Sequence, residues 1–255
     1  YFDERSRPYL AEYERVTPEG YSFRIRREKV FSLIPQTSTK GRALDVGSGP
    51  GVMIDGLLKK GYRVSAVDAA PEMLTRAREH FGNHPDVSLS VAEADALPFP
   101  DNTFDVVVAA GLFEYLADNE TTLAELQRVL KERGILIATF PHRWSLSRVI
   151  NRISRAVFRP LTHALKKLRG RAPYPLTHRE YSLSEARALV TAADFEVVGS
   201  RFYNFKLIPY PLDTLFPRTT GFQSRLLEGL DRTFLQGLGT GFIVKAEKVS
   251  TYTTT

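Results

Sequence analysis

The chain has 255 residues, 43% of them hydrophobic, enough to bury one large α/β core with appendages but not two full domains. It contains no cysteine, which excludes disulfides, thiolate chemistry and methylation through a cysteine adduct on a pyrimidine carbon, and no apolar run approaches the ~20 residues of a membrane span. The formal charge of +6 is concentrated in one place: residues 143–179 hold ten Lys and Arg and no Asp or Glu, leaving 25 basic against 29 acidic residues elsewhere.

The first 35 residues are aromatic and charged, with Tyr9, Tyr13, Tyr21 and Phe23 ahead of or within a segment leading to a helical run over 24–33. A short apolar strand at 43–46 then runs into Gly47, Gly49 and Gly51, followed by a helix at 52–60. Strand, glycine turn and helix N-terminus together present unpaired N–H groups to a bulky ligand with no side chain in the way. The third glycine comes one residue earlier than the G-x-G-x-x-G of dinucleotide sites, which favours another nucleotide-type ligand. The next strand, 63–67, ends at Asp68, whose carboxylate is placed beside the cradle, where it can accept both hydroxyls of a ribose. Further along, 71–80 reads as helix, 87–91 and 104–109 as strands, 120–130 as helix and 135–140 as strand. Such alternation demands parallel strands with crossover helices on both faces, and ligands bind at the carboxyl ends of those strands. That rule gathers Gly47, Asp68, Asp95, Gly111 and His142 around one crevice.

Four motifs occur in order: L-D-V-G-S-G-P-G at 44–51, V-D-A-A-P-E-M-L at 67–74, E-A-D-A-L-P-F-P-D-N-T-F-D-V-V at 93–107 and L-Q-R-V-L-K-E-R-G-I-L at 126–136. The sequence resembles the class I S-adenosylmethionine-dependent methyltransferases, in particular the small-molecule enzymes related to the ubiquinone and menaquinone methyltransferases. The resemblance is close over 41–141 and looser outside it. One departure is Lys131-Glu132-Arg133-Gly134, where the family usually has Lys-Pro-Gly-Gly; it falls in a surface turn.

The resemblance implies a Rossmann-like, doubly wound, mainly parallel seven-stranded sheet with helical cap inserts, closed by an antiparallel hairpin of 195–205 and 241–248. Residues 1–40 become an N-terminal helical cover and 41–255 the methyltransferase domain, with inserts at 143–180 and 206–239. S-adenosylmethionine is the implied cofactor. By the same resemblance Gly47, Gly49 and Gly51 underlie its methionine and ribose, Asp45 supports the amino group and Arg26 meets the carboxylate, a role that Arg24 or Arg27 takes instead after a one-residue shift. Asp68 takes the ribose hydroxyls, Asp95 the adenine amino group, and Ala96 gives a backbone N–H.

Because a sulfonium methyl is already electrophilic, the enzyme needs chiefly to hold a nucleophile in line and exclude water. His142, just after the fifth strand, is a candidate base with a suitable titration range, set against a positioning or structural role. Glu114 and Tyr115, in the loop after strand four, also point to the crevice, set against capping and packing. The remaining histidines, His80, His84, His163 and His178, have no metal-ligand spacing. Ala109-Ala110-Gly111-Leu112 stands where enzymes acting on exocyclic amines of nucleic-acid bases carry an Asn/Asp-Pro-Pro-aromatic run, so such acceptors are demoted.

The expected acceptor is a small molecule or lipid-like compound, methylated on oxygen, in an apolar pocket under the inserts. The rivals are an RNA methyltransferase that uses the basic insert as a phosphate clamp and a non-catalytic S-adenosylmethionine-binding interaction protein. Residues 144–170 form two expected helices. In the first, Leu146, Val149, Ile150, Ile153 and Val157 share a face opposite Arg148, Arg152, Arg155 and Arg159. That division suits a cap lying on a membrane surface or roofing an amphiphilic acceptor. A soluble cytoplasmic protein, peripheral to a membrane through this insert, is the expectation. The chain is expected to continue before Tyr1, no signal peptide is read in it, and 250–255 reads as a polar tail.

Overall fold

A computed structural model describes residues 17–157, 178–208, 213 and 216–250. Helix α1 (Pro18–Leu33) starts where Thr17 accepts the Gly20 N–H at 3.0 Å and Pro18 takes a position whose missing N–H costs nothing. Alternating elements follow: β1 (Arg42–Val46), α2 (Ile54–Lys59), β2 (Arg63–Asp68), α3 (Pro71–Phe81), β3 (Val87–Val91), β4 (Phe104–Ala109), α4 (Asn119–Val129) and β5 (Leu130–Pro141). The second half holds α5 (Leu146–Val157), α6 (Leu183–Ala192), β6 (Phe195–Tyr203), α7 (Pro217–Leu226), two 3-10 turns (Leu227–Arg232 and Phe234–Leu238) and β7 (Gly241–Lys248).

The seven strands form one sheet in the order β3-β2-β1-β4-β5-β7-β6. The first five run parallel and β7 is antiparallel to both its neighbours, as the resemblance implies. Period-two alternation divides the core. On β4, Val106 and Val108 face α1 and α2, while Val107 and Ala109 face the side covered by α4 and α6. Each large aliphatic side chain buried this way contributes about 1.5–3 kcal/mol, so the sheet's two apolar faces, not helix propensity, hold the helices down.

Two local features differ from the sequence reading. The fifth strand begins at Leu130, five residues before 135–140, and passes through Arg133 at φ 58. In the resembled family a glycine stands at that position, so here a side chain sits in the left-handed region that favours glycine. The second insert, expected at 206–239 with no element boundaries assigned, holds one α-helix and two 3-10 turns among its described residues.

Both inserts leave the sheet at the same end. Pro141, the last residue of β5, and Tyr203, the last of β6, both pair with Gly241, the first of β7. This is the carboxyl end of the parallel strands. The first insert opens with α5, but Arg148 and Arg152 both meet Glu180, and Arg143 lies 2.7 Å from Glu185. The acid-free stretch of sequence therefore finds its acids immediately after its end, and these three arginines do not form an unpaired cationic face. The second expected helix of this insert lies outside the described residues. No helix among the described residues is long and apolar enough to cross a membrane.

Candidate active site

The turn after β1 is held by backbone and one carboxylate. Gly47 and Gly49 adopt φ 68 and 53, and the Ser48 N–H donates to Val67 O at 2.9 Å, extending the β1–β2 pairing past the end of the strand. Asp68, at the end of β2, accepts the Gly49 N–H on Oδ2 at 2.7 Å and the Ala70 N–H on Oδ1 at 2.9 Å. A Cβ at Gly47 would stand 3.0 Å from Leu112 Cδ1, and one at Gly111 would stand 2.6 Å from Arg26 Nη1. Both glycines are needed for close approach.

These elements enclose a cavity of about 420 Å³. Its walls come from α1 (Phe23, Arg26), the ends of β1 and β2 (Val46, Gly47, Gly49, Asp68), the loop after β3 (Ala92, Glu93, Ala94) and the loop after β4 (Gly111, Leu112, Glu114, Tyr115, Leu116). Arg26 is 7% exposed, with its guanidinium carbon 5.2 Å from the Phe23 ring centroid. α1 therefore covers the cavity with one cation and one aromatic ring.

Glu114 is buried, and its Oε2 has no hydrogen-bond partner. Burial pushes its carboxyl above the ordinary range, and the Arg26 charge opposes the rise. Behind it, the Gly111 N–H donates to Thr139 Oγ1 at 2.8 Å, and Thr139 hydrogen-bonds the buried Tyr203 hydroxyl. Burial drives Tyr203 up to about 12, so it remains a neutral phenol. Arg26, Glu114, Thr139 and Tyr203 thus come from four separate elements to one polar patch.

Asp45 lies just beneath the cavity floor rather than in its wall. It is 1% exposed, its Oδ2 is unpartnered, and burial, reinforced by the negative charge of Asp68, lifts its pKa to about 7. Gly51, at φ 84, faces the packing of α2 on α3: a Cβ there would lie 2.8 Å from Ile54 Cδ1. Asp95 and Ala96 are exposed and fall just beyond the lining residues Glu93 and Ala94, and the Ala96 N–H donates to Glu93 O at 3.3 Å. His142 stands outside the cavity wall. Its Nδ1 is 3.1 Å from Gly239 O, its ring packs on Phe202 and Phe242 at 5.2 and 5.8 Å, and burial lowers its pKa. These contacts join the root of one insert to the root of the other.

Besides small and aliphatic lining residues such as Ala92 and Leu116, four polar or aromatic residues of the site or its support escape the sequence reading: Glu93, Phe23 as a lining ring, Thr139 and Tyr203. Glu93 was open to discovery, since it stands two positions before Asp95 at a strand end. Tyr203 had no local signal. Among the described residues no cluster of His, Asp and Glu could hold a metal ion.

The chain is similar to known methyltransferases in sequence and in fold. Residues 44–138 match the methyltransferase domain family. The malonyl-[acyl-carrier protein] O-methyltransferase of Geobacter sulfurreducens is 28% identical over 174 residues, 67% of this chain and 62% of that protein. The demethylmenaquinone methyltransferase of Thermus thermophilus is 37% identical over 131 residues, 50% of this chain and 59% of its own length. The chain spans less than two thirds of either relative. Among solved structures, a SAM-dependent methyltransferase from Thermotoga maritima shares the fold with a TM-score of 0.65 at 19% identity, covering 97% of this chain and 98% of that one. With the glycine turn, the acid-ended strands and the sheet order, these likenesses support a class I S-adenosylmethionine-dependent methyltransferase domain in this chain.

Proposed function

We propose that this protein transfers the methyl group of S-adenosylmethionine to an oxygen of a small-molecule or lipid-like acceptor, and that Glu114 takes the acceptor's proton. The observation that carries this reading is the Glu114 carboxyl, buried with one oxygen unpartnered in the wall it shares with the glycine turn. A buried carboxylate oxygen with no donor is costly unless a ligand supplies one.

The cofactor side fits S-adenosylmethionine. The cavity volume is within the usual range for small-ligand sites, and Gly47 and Gly111 keep its walls clear. Asp45 offers an unpartnered oxygen to an amino cation, Arg26 a guanidinium to a carboxylate, and Asp68, in the cavity wall, its carboxylate to ribose hydroxyls. The adenine edge is assigned to the turn over 93–96, with Asp95 and Ala96 at its outer side.

When bound, the cofactor supplies an electrophilic methyl group, and the chain's own residues do the rest. Glu114, raised by burial, is a stronger proton acceptor than a solvated carboxylate, and Arg26 holds the rise in check so that the ionised form stays accessible. The proton leaves the acceptor hydroxyl for Glu114 Oε2 as the oxygen becomes nucleophilic. Phe23, Leu112 and Leu116 give the acceptor apolar surface and exclude water, while the half-exposed Tyr115 stands at the mouth. Oxygen is favoured because a buried base is of use to a hydroxyl acceptor, and one relative is an O-methyltransferase. The RNA reading loses support because Arg143, Arg148 and Arg152 are engaged by Glu180 and Glu185.

Methyl-labelled S-adenosylmethionine screened against phenols, quinols, sugars and lipids should label an oxygen, identified by product mass spectrometry. Label found only on nitrogen or carbon would overturn the oxygen assignment. Absence of calorimetric binding of S-adenosylmethionine would overturn the whole reading.

A further inference from the structure

Helix α7 is oriented against its own amphipathicity. Its inward side chains are Thr220 and Ser224, each 1% exposed, whereas Phe222 and Leu226, one turn apart, are 72% and 74% exposed. The Thr220 hydroxyl is satisfied within the helix by donating to Phe216 O at 3.0 Å, which lets a polar residue face inward without a distant partner. At ~100° per residue, Arg218 and Arg225 fall on the same outer arc as Phe222 and Leu226. On either side of the helix in the chain, Phe216 is 58% and Phe234 is 93% exposed.

The charges of this segment are sorted as well. Glu228 and Asp231 turn inward to Lys29, whose Nζ lies 3.6 and 2.6 Å from them. Arg218, Arg225 and Arg232 are exposed, so over 216–238 every exposed charge is positive. The segment joins β6 to β7 at the sheet end that carries the cavity. On the neighbouring insert, which leaves from the same end, Trp144 and Ile153 are each 60% exposed while Ser145 and Ser147 are buried.

We propose that the outer face of α7 and the following turns is a docking surface for an anionic lipid bilayer, with Phe222, Leu226 and Phe234 entering the interface and Arg218, Arg225 and Arg232 meeting the headgroups. Protruding apolar side chains bracketed by arginines match the two layers of a membrane interface. An isologous contact with a second copy would instead gather these arginines from both copies in one interface, with Glu28 the one acid in the groove beside Arg218 and Arg225. The proposal rests on the lipid-like acceptor reading for its purpose: a rim docked at the cavity end gives the site access to an amphiphile without a full crossing into water. It moves the membrane contact from the basic insert, whose inner arginines are paired, to the second insert.

The test is co-sedimentation of the full chain with phosphatidylcholine vesicles, with and without phosphatidylglycerol, at low and physiological salt. The protein should pellet with anionic vesicles, less so as salt rises. F222S/L226S should lower the partition coefficient roughly tenfold or more, and R218Q/R225Q should remove the preference for phosphatidylglycerol. Calorimetric binding of S-adenosylmethionine by both variants should match the parent, since none of the four residues lines the cavity. Failure to pellet with either vesicle, or equal pelleting of F222S/L226S, overturns the proposal. So does a concentration-dependent dimer abolished by F222S/L226S, which would assign the face to a second copy. A parent protein that pellets but binds no S-adenosylmethionine upholds the surface while removing the methyltransferase reading.

Discussion

The two halves of the cavity are built in different ways. On the β1–β2 side, Asp68 reaches Gly49 and Ala70, and every contact is made by a backbone amide or a short acid at a strand end. On the β4–β6 side, Arg26, Glu114, Thr139 and Tyr203 converge from elements spread over most of the chain. The first half needs only correct local geometry. The second needs the whole sheet, because Arg26, Thr139 and Tyr203 reach the surroundings of Glu114 only when β6 and α1 are in place. Binding and chemistry should therefore separate under mutation.

The largest effect should be on rate. Glu114→Gln removes the proton acceptor while keeping the shape, and kcat should fall about 10²–10⁴-fold with S-adenosylmethionine affinity nearly unchanged. His142→Ala should leave kcat close to the parent value and cost instead the hydrogen bond to Gly239, about 1 kcal/mol of stability. Steady-state kinetics on the pair would break the comparison if His142 proved the more damaging.

Asp68→Ala should act on the other half, weakening S-adenosylmethionine binding by about 1.5–3 kcal/mol in calorimetry through loss of a charge-assisted acceptor. Unaltered affinity would remove Asp68 from the cofactor site. Asp95→Ala, at an exposed position, should have a smaller effect, about 0.5–1.5 kcal/mol for an ordinary hydrogen bond.

A third expectation concerns pH. Asp45 and Glu228 are both raised to about 7, in each case chiefly by burial. Between their unfolded values near 4 and the folded values near 7, the native state binds more protons than the unfolded chain. Stability is thus highest below that window and falls as pH rises through it, by about 3–4 kcal/mol for each group, levelling off above. Denaturant titrations from pH 4 to 8 should show the decline, and Asp45→Asn should flatten it. Saturating S-adenosylmethionine should flatten it too if an amino cation meets Asp45, which would tie this buried acid to the cofactor half.

The smallest effect tests a site remote from both. Arg133→Gly relieves a side chain held at φ 58 and should raise stability by about 0.5–1 kcal/mol without altering kinetics.

What the sequence determined by itself is the sheet and the near half of the site. Strand and helix alternation, Pro71 at a helix start and acids at the ends of β1 and β2 act through neighbours in the chain, so periodicity and turn chemistry were sufficient to read them. Tertiary structure alone decided the rest. His142 and Glu114 are equivalent in sequence as titratable residues just beyond strands, yet the pairing of β5 and β6 with β7 locks the first against Phe202 and Phe242 and leaves the second facing the cavity. The run of ten bases without an acid looked cationic in one dimension, and folding brought Glu180 and Glu185 onto three of them. Helix α7 carries Phe222 and Leu226 on one side and Thr220 and Ser224 on another. Which one faces water depends on the packing around Thr220 and Ser224, a long-range choice that no local pattern encodes.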